Sequence, residues 1–411
     1  MKIACFGARL ADNLGGPSLL VATKSVVGAF LPEAEFTLIV RAKEMAGDLA
    51  WAERYGVKLE AYQISPWLPV AVYLRRWFGL QIGSEQIKRL IRVLEEADAV
   101  MDIWGIAFAD SLGSNSFLIR LTDGLHFWLA KRLGKPVIKY TADMGPFKQR
   151  WNRIFARYYL QHTIDLILAR DERTAGDIRD LGVQTPTIVA ADTAFLLPAE
   201  SGDEAKSVAS IRRHKPVIGL SVSYQAKNRE KTVGSYISTM VHLVDHVHKS
   251  VNGMVLLIPN EISSGANDDA RIAEKVHEQV AGQNCQIVPS PRLRAQELKG
   301  IIQQCDLVVA ARYHTIVAAL SLGIPTLAIG WHHKYAGVLD RFGQERWLCS
   351  IEDLQERELL EKFDALWADR QAQTEQIRRN LEPVKQLVRD AAEQVGRFIQ
   401  QRTFADSRSL Q

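Results

Sequence analysis

The chain of 411 residues carries 51 lysines and arginines against 47 aspartates and glutamates, a formal net charge of +4, and is 47% hydrophobic and 24% charged. These are the proportions of an ordinary globular protein, and so small a basic excess does not by itself point to nucleic acid. The length exceeds the roughly 250–300 residues at which one hydrophobic core stops growing, so two domains are expected.

The four cysteines, Cys5, Cys285, Cys305 and Cys349, are widely spaced and form no C-x-x-C pair. Neither a zinc site nor a disulfide framework is signalled, and a reducing cytoplasm fits. The N-terminus reaches Arg9 and Asp12 before a signal-peptide core can form and reads instead as a first strand. No apolar run reaches the length of about 18 residues that a spanning helix needs. The nearest approach, PWLPVAVYLRRWFGL at 66–80, is interrupted by Arg75 and Arg76 and reads as a surface segment.

Taken in order, the first half alternates strands with helical patterns, the signature of a parallel sheet built from β-α-β units. Strands are predicted at 2–7, 35–40, 99–103, 136–141, 165–169 and 187–190, and helices at 18–30, 84–96, 123–133, 146–161 and 172–181. Gly134 and Gly182 follow two of these helices as C′ residues. The polar stretch 198–215 reads as an interdomain linker. The alternation then restarts, with strands at 217–222, 254–259, 286–289, 306–310 and 326–329 and helices at 233–251, 268–281, 294–304 and 313–322. The division is therefore an N-terminal α/β domain (1–197), the linker (198–215), a C-terminal α/β domain (216–352) and a charged helical tail (353–411) that packs back across the first domain. A ligand is expected in a cleft between the domains.

The most informative stretch is CDLVVAARYHTIVAALSLGIPTLAIGWHHKY at 305–335. It reads as buried strand, tight turn, apolar helix, buried strand, and a mouth carrying His332, His333 and Lys334. Ligands of open α/β sheets sit outside the carboxyl ends of the strands, where Arg312, His314 and Lys334 are all predicted. Helix N-termini expose unpaired N–H groups, so with two cations beside them this rim is an anion site. Among the three residues only the imidazole titrates near neutral pH. The alternative is a core histidine hydrogen-bonded at a helix start.

Three further features stand out. Arg170 follows an apolar strand and precedes Asp171, a suitable N-cap, so it occupies the same topological position as the Arg312–His314 turn; it either faces a ligand or satisfies a neighbouring carboxylate. Gly15 and Gly16, after the first strand and Asn13, either let a ligand approach the backbone or simply form a turn. His242 and His246 stand i, i+4 on a helix without the H-E-x-x-H pattern, which favours a solvated helix face over a metal site.

With these residues in view, R-Y-H followed by an apolar helix, GIPTLAIG and a lysine resembles the polysaccharide pyruvyl transferase family. The early N-x-G at Asn13 and Gly15, KPVIKYTADMGPFK at 135–148 and LARDERTAGDIRDLG at 168–182 also match, with Thr174 and Ile178 in the family's serine and leucine places. DTAFLL at 192–197, IGLSVS at 218–223 and IPN followed by Asp268-Asp269 extend the resemblance to about residues 1–345.

The resemblance implies two Rossmann-like domains in a GT-B-like arrangement, and transfer of the pyruvyl group from phosphoenolpyruvate to a sugar as a ketal, with release of phosphate. It implies that His314 is the general acid and that Arg170, Arg312 and Lys334 hold the donor's phosphate and carboxylate. Arginine's planar fork suits both groups. Phosphoenolpyruvate is then the donor substrate, with no cofactor or metal expected. The acceptor is a sugar or lipid-linked oligosaccharide of a surface polysaccharide, met in the cytoplasm or at the inner membrane face. Trp67 to Leu80, with Lys148, Arg150, Trp151, Arg153 and Arg157, would supply a basic aromatic patch for peripheral membrane contact, or a partly buried helix with snorkelling arginines.

Two positions depart from the family pattern. Gly16 replaces the aspartate that usually follows N-x-G, and Asp102-Ile103-Trp104-Gly105 stands where a glycine-rich turn is common. Trp104 and Phe108 there either stack on a sugar or fill the core. Two rival functions remain: a GT-B glycosyltransferase using a nucleotide sugar, which would want a carboxylate for the ribose hydroxyls, and a non-catalytic relative that binds a glycan or anion.

Overall fold

A computed structural model describes residues 1–63, 68–80, 82–110, 116–231, 235–261, 268–280 and 284–409, with side chains to residue 403. The chain divides into two compact units. The first comprises Met1–Leu10, Leu19–Thr193 and Gln386–Gln411, and the second comprises Ala11–Ser18 and Ala194–Lys385.

The first unit holds an eight-stranded parallel sheet. Its strands are β1 (Lys2–Phe6), β2 (Glu35–Arg41), β3 (Lys58–Tyr62), β4 (Ala99–Asp102), β5 (Ile106–Ala107), β6 (Val137–Met144), β7 (Leu166–Ala169) and β8 (Thr187–Val189). The order is β3-β2-β1-β4-β6-β7-β8, with β5 pairing β6. The central strands β4, β6 and β7 are buried along their whole length, as parallel strands covered by helices on both faces must be. One face packs Phe6, Val100 and Ala142 beneath helices such as Glu85–Glu96; the other packs Cys5, Met101 and Tyr140.

The second unit holds a six-stranded parallel sheet in the order β11-β10-β9-β12-β13-β14. Here the strands are β9 (Val217–Ser221), β10 (Met254–Leu257), β11 (Cys285–Ile287), β12 (Leu307–Ala310), β13 (Thr326–Gly330) and β14 (Leu348–Ser350). Both sheets are thus doubly wound, and each reverses direction at one point, β1 against β4 and β9 against β12. That reversal opens the crevice at which such sheets take ligands.

The local expectations were met where the signal was apolar. Asp171 caps helix Glu172–Asp180 by accepting a hydrogen bond from the Thr174 N–H at 2.7 Å. Gly134 and Gly182 both adopt φ of +78°, the left-handed conformation of a helix C′ residue. All four cysteines are buried, and burial pushes the Cys5, Cys285 and Cys305 thiols up to about 12, so these three are inert at neutral pH.

Several expectations require correction. The stretch 198–215 is not a linker: it forms helix Asp203–Arg212, which buries Ala205 and Val208 within the second unit. Strand β3 was missed because, at the sheet edge, it is only half buried and its sequence KLEAY lacks an apolar run. The first helix begins at the glycine pair, Gly15–Gly28, rather than after it. His242 and His246 do not form a purely solvated face. Within the second unit they hydrogen-bond Glu356 at 2.6 Å and Asp364 at 2.7 Å, docking helix Glu356–Ala368. Of the helices predicted at 233–251 and 268–281, Val233 and Ala281 lie outside the described residues, and the observed spans are Ser235–Val251 and Asp269–Gln279.

Of the expected basic aromatic segment, Trp67 lies outside the described residues. The rest forms helix Leu68–Phe78, which buries Leu68, Ala71 and Val72 and exposes Tyr73 and Trp77. Arg75 pairs with Glu95, and Arg76 donates to the Arg132 carbonyl. Among the described residues no helix is long and apolar enough to cross a membrane.

The tail is two helices, Glu356–Ala368 and Arg370–Ser409. Ala391, Ala392, Val395 and Ile399 of the second are buried in the first unit's core beside Ile3 and Leu20. Ile399→Ala should therefore cost about 2–5 kcal/mol, the range for emptying a buried isoleucine site, read as a lowered denaturant midpoint in urea unfolding.

Candidate functional site

The second unit's site is built at the β9/β12 reversal. Strand β12 ends at Ala310, and Arg312 takes the N-cap position of helix Tyr313–Ser321, so Tyr313 and His314 occupy that helix's first two positions. Strand β13 ends at Gly330, and His332 caps helix His333–Asp340, its Nδ1 accepting from the Lys334 N–H at 3.3 Å.

Arg312 is the fastener of this region. Its guanidinium holds Asp269 through Nε at 2.7 Å and Nη2 at 2.5 Å, and reaches Glu261 at 2.6 Å. Burial works against the charge, but Asp269 and Glu261 outweigh it and hold the guanidinium above its ordinary value. Asp269 is fully buried and also accepts from the backbone N–H groups of Tyr224, Asn260 and Glu261. One ion pair thus ties together the loops that follow β9, β10 and β12. Arg312 was expected to grip a ligand; its fork is already filled by two carboxylates.

The N-x-G segment belongs to the same unit. Asn13 pairs as an isolated antiparallel bridge with Glu261, and the Leu14 N–H donates to the Asn260 carbonyl at 3.2 Å. The Asn13 side chain accepts from the Gly16 N–H at 2.8 Å, closing the start of helix Gly15–Gly28. Gly15 packs against the His314 ring so closely that a Cβ there would fall 2.7 Å from Cε1. The absent side chain at position 15 is therefore a requirement of the histidine's placement. Two helix N-termini converge on this imidazole, and each carries partial positive charge.

Lys334 lies among aromatic rings, its Nζ 4.9 Å from the centre of Tyr313 and 5.4 Å from that of Trp331. Tyr313 in turn packs edge-on against His314. Arg229, which no sequence motif marked, sits over the same tryptophan, its Cζ 3.9 Å from the Trp331 ring centre. Burial and the nearby Arg312 lower its affinity for the proton. The structure thus brings Asn13, Gly15, Gly16, Arg312, His314 and Lys334 into one unit and adds Arg229.

Arg170 lies in the first unit, at the end of β7. It is 4% exposed and is bound by Asp143 at 2.8 Å and Asp192 at 3.2 Å, with the Thr141 carbonyl accepting from Nε and Nη2. Gly105 leaves room for it, since a Cβ there would lie 2.5 Å from Nη2. Like Arg312, it carries two carboxylates at a strand-to-helix turn.

Replacing the fully buried Asp269 by alanine leaves the partly buried Arg312 beside Glu261 alone and should cost about 3–5 kcal/mol in chemical unfolding. The paired Arg312→Met, Asp269→Leu variant should recover only part of that loss: it removes the guanidinium, but Glu261 loses its cation and the Tyr224, Asn260 and Glu261 N–H groups lose their acceptor.

Comparison with known proteins places the chain in a family. The family model described as polysaccharide pyruvyl transferase matches residues 46–333, a span that includes Arg170, Arg312 and His314 and ends one residue before Lys334. The amylovoran biosynthesis protein AmsJ of Erwinia amylovora is 23% identical over 314 residues, 72% of each chain. Among solved structures, Anabaena Alr3699/HepE in complex with UDP and glucose aligns with a TM-score of 0.61 at 13% identity, over 98% of this chain and 100% of the other. UDP-GlcNAc 2-epimerase from Neisseria meningitidis, bound to UDP-GlcNAc, aligns with a TM-score of 0.59 at 11% identity, over 96% and 99%. These two establish the fold as GT-B-like and α/β, while the match across most of its length establishes that the chain belongs to the polysaccharide pyruvyl transferase family.

Proposed function

We propose that this protein transfers the pyruvyl group of phosphoenolpyruvate to two hydroxyls of a sugar in an exopolysaccharide precursor, forming a ketal and releasing phosphate. The observation that carries the proposal is the placement of His314, a titratable group fixed at the convergence of two helix N-termini and walled by Gly15.

In this reading His314 delivers a proton to the donor's methylene carbon, which makes the adjacent carbon electrophilic. A sugar hydroxyl adds there, the bond to the phosphate oxygen breaks, and a second hydroxyl closes the ring. Of the two hydroxyl protons, one balances the proton now on the methyl group and the other leaves with phosphate. Lys334 and Arg229 hold the donor's anionic groups; Arg312 acts by fixing the loops after β9, β10 and β12 beside His314. The two helix N-termini assist the departing phosphate. Arg170, held by Asp143 and Asp192, acts within the first unit as Arg312 does within the second, fixing strand ends.

Incubation with phosphoenolpyruvate and a panel of glycans, followed by phosphate release and mass spectrometry, should show a ketal product. His314→Asn should lower turnover by about 10²–10⁴-fold, the usual contribution of a general acid, and unchanged turnover would remove the histidine from this role. Gly15→Ala displaces the ring and should cost on the order of 10²-fold in kcat with a smaller effect on KM for phosphoenolpyruvate. Lys334→Ala should act mainly by raising that KM. Binding of a nucleotide sugar with no response to phosphoenolpyruvate would instead establish a glycosyltransferase.

A further inference from the structure

The first unit has its own crevice at the β1/β4 reversal, a cavity of about 310 Å³. Gly7, at the end of β1, adopts φ of +93°, and a Cβ there would strike the Trp104 backbone after β4. The two strand ends are thus pressed together, and Trp104 is fixed at the cavity wall with 42% of its surface exposed.

Beneath it lies a buried polar assembly that the chemistry above does not use. Asp102 is 4% exposed and accepts from the Lys139 ammonium, from the Trp104 N–H at 3.0 Å and from His126 Nε2 at 2.6 Å. Lys139 is fully buried and also donates to the Trp104 carbonyl at 2.7 Å. Burial opposes the charge on Asp102, yet Lys139 and His126 hold its carboxyl well below the usual carboxylate range. An ionised carboxylate only accepts, so Nε2 is the protonated nitrogen of His126. In the neutral ring Nδ1 is then an acceptor.

Three arginines and three carboxylates line the cavity, and the buried Lys139 ammonium meets Asp102 behind the wall. Arg9 pairs with Glu44 at 2.6 Å, and Arg41 hydrogen-bonds Tyr62. Arg120 pairs with Asp123, so each of these arginines is already hydrogen-bonded within the wall, which favours hydroxyl groups over a phosphate or carboxylate ligand. An exposed indole beside paired polar groups is the surface that the apolar face and hydroxyl rim of a pyranose require. Phe108, by contrast, is 4% exposed and stacks on Tyr159, so it belongs to the core.

We propose that this cavity is a binding site for a neutral saccharide, with Trp104 as its stacking platform and His126, oriented by Asp102, accepting a hydrogen bond from a sugar hydroxyl. The site deepens the function proposed above, on which it rests only for the sugar's role as acceptor.

The test is saturation-transfer NMR and titration calorimetry on the full chain, without phosphoenolpyruvate, using methyl glucoside, methyl galactoside and methyl glucuronoside. At least one neutral glycoside should bind more tightly than the glucuronoside. Trp104→Ala should weaken that binding more than tenfold, Trp104→Phe should restore most of it, and His126→Phe should weaken it severalfold. Phosphoenolpyruvate binding should be unchanged in each variant, which also shows that the variants fold. Absence of neutral glycoside binding, a preference for the glucuronoside, or indifference to Trp104→Ala would overturn the proposal. Saccharide binding by a protein that never consumes phosphoenolpyruvate would leave this site standing and remove the transferase reading; turnover indifferent to Trp104→Ala would do the reverse.

Discussion

The pairing of Arg312 with Asp269 is the constraint on which the second unit's site depends. A fully buried carboxylate is costly unless every lone pair is used, and Asp269 meets that demand with the arginine fork and three backbone N–H groups. The donors come from three different loops, so satisfying one charge fixes the relative positions of three strand ends. Glu261 extends the network to the bridge with Asn13, and from there Gly15 sets the space left for His314. The histidine's position is thus a remote outcome of a buried ion pair.

The same rule operates in each sheet separately. Where strand order reverses, the loops diverge and leave a crevice, and in both units the residues at that crevice break ordinary sequence habits. Gly7 adopts a positive φ to accommodate Trp104, and Gly15 gives up a side chain to accommodate His314. Each unit also sets an arginine between two carboxylates, the buried Arg170 with Asp143 and Asp192, the partly buried Arg312 with Asp269 and Glu261. These arginines are rigid because each is held on several sides, which suits residues that position a site.

How much of this was legible in the sequence follows the physics of each signal. Buried parallel strands announce themselves as apolar runs, so the alternation of strands and helices and the positions of Arg170, Arg312 and His314 could be placed at strand ends. The edge strand β3 and the helix at 203–212 bury too little to leave such a run. The partners of Arg312 were illegible because Asp269 stands 43 residues earlier, and no local pattern reports a contact that only the sheet's strand order creates. Arg229 was missed for the same reason: its position over Trp331 depends on packing across loops. His126 is likewise unmarked in the sequence, because its partner Asp102 lies 24 residues earlier.

The helix Arg370–Ser409 gives the chain an order of assembly. Ala391, Ala392, Val395 and Ile399 fill the core of a unit whose other strands are all made by residue 189. On a ribosome adding roughly 5–20 residues per second, those strands wait on the order of tens of seconds for the helix that covers them. The apolar surface around Ile3, Leu20 and Leu38 is meanwhile incompletely closed, and arrival of the helix is what completes it.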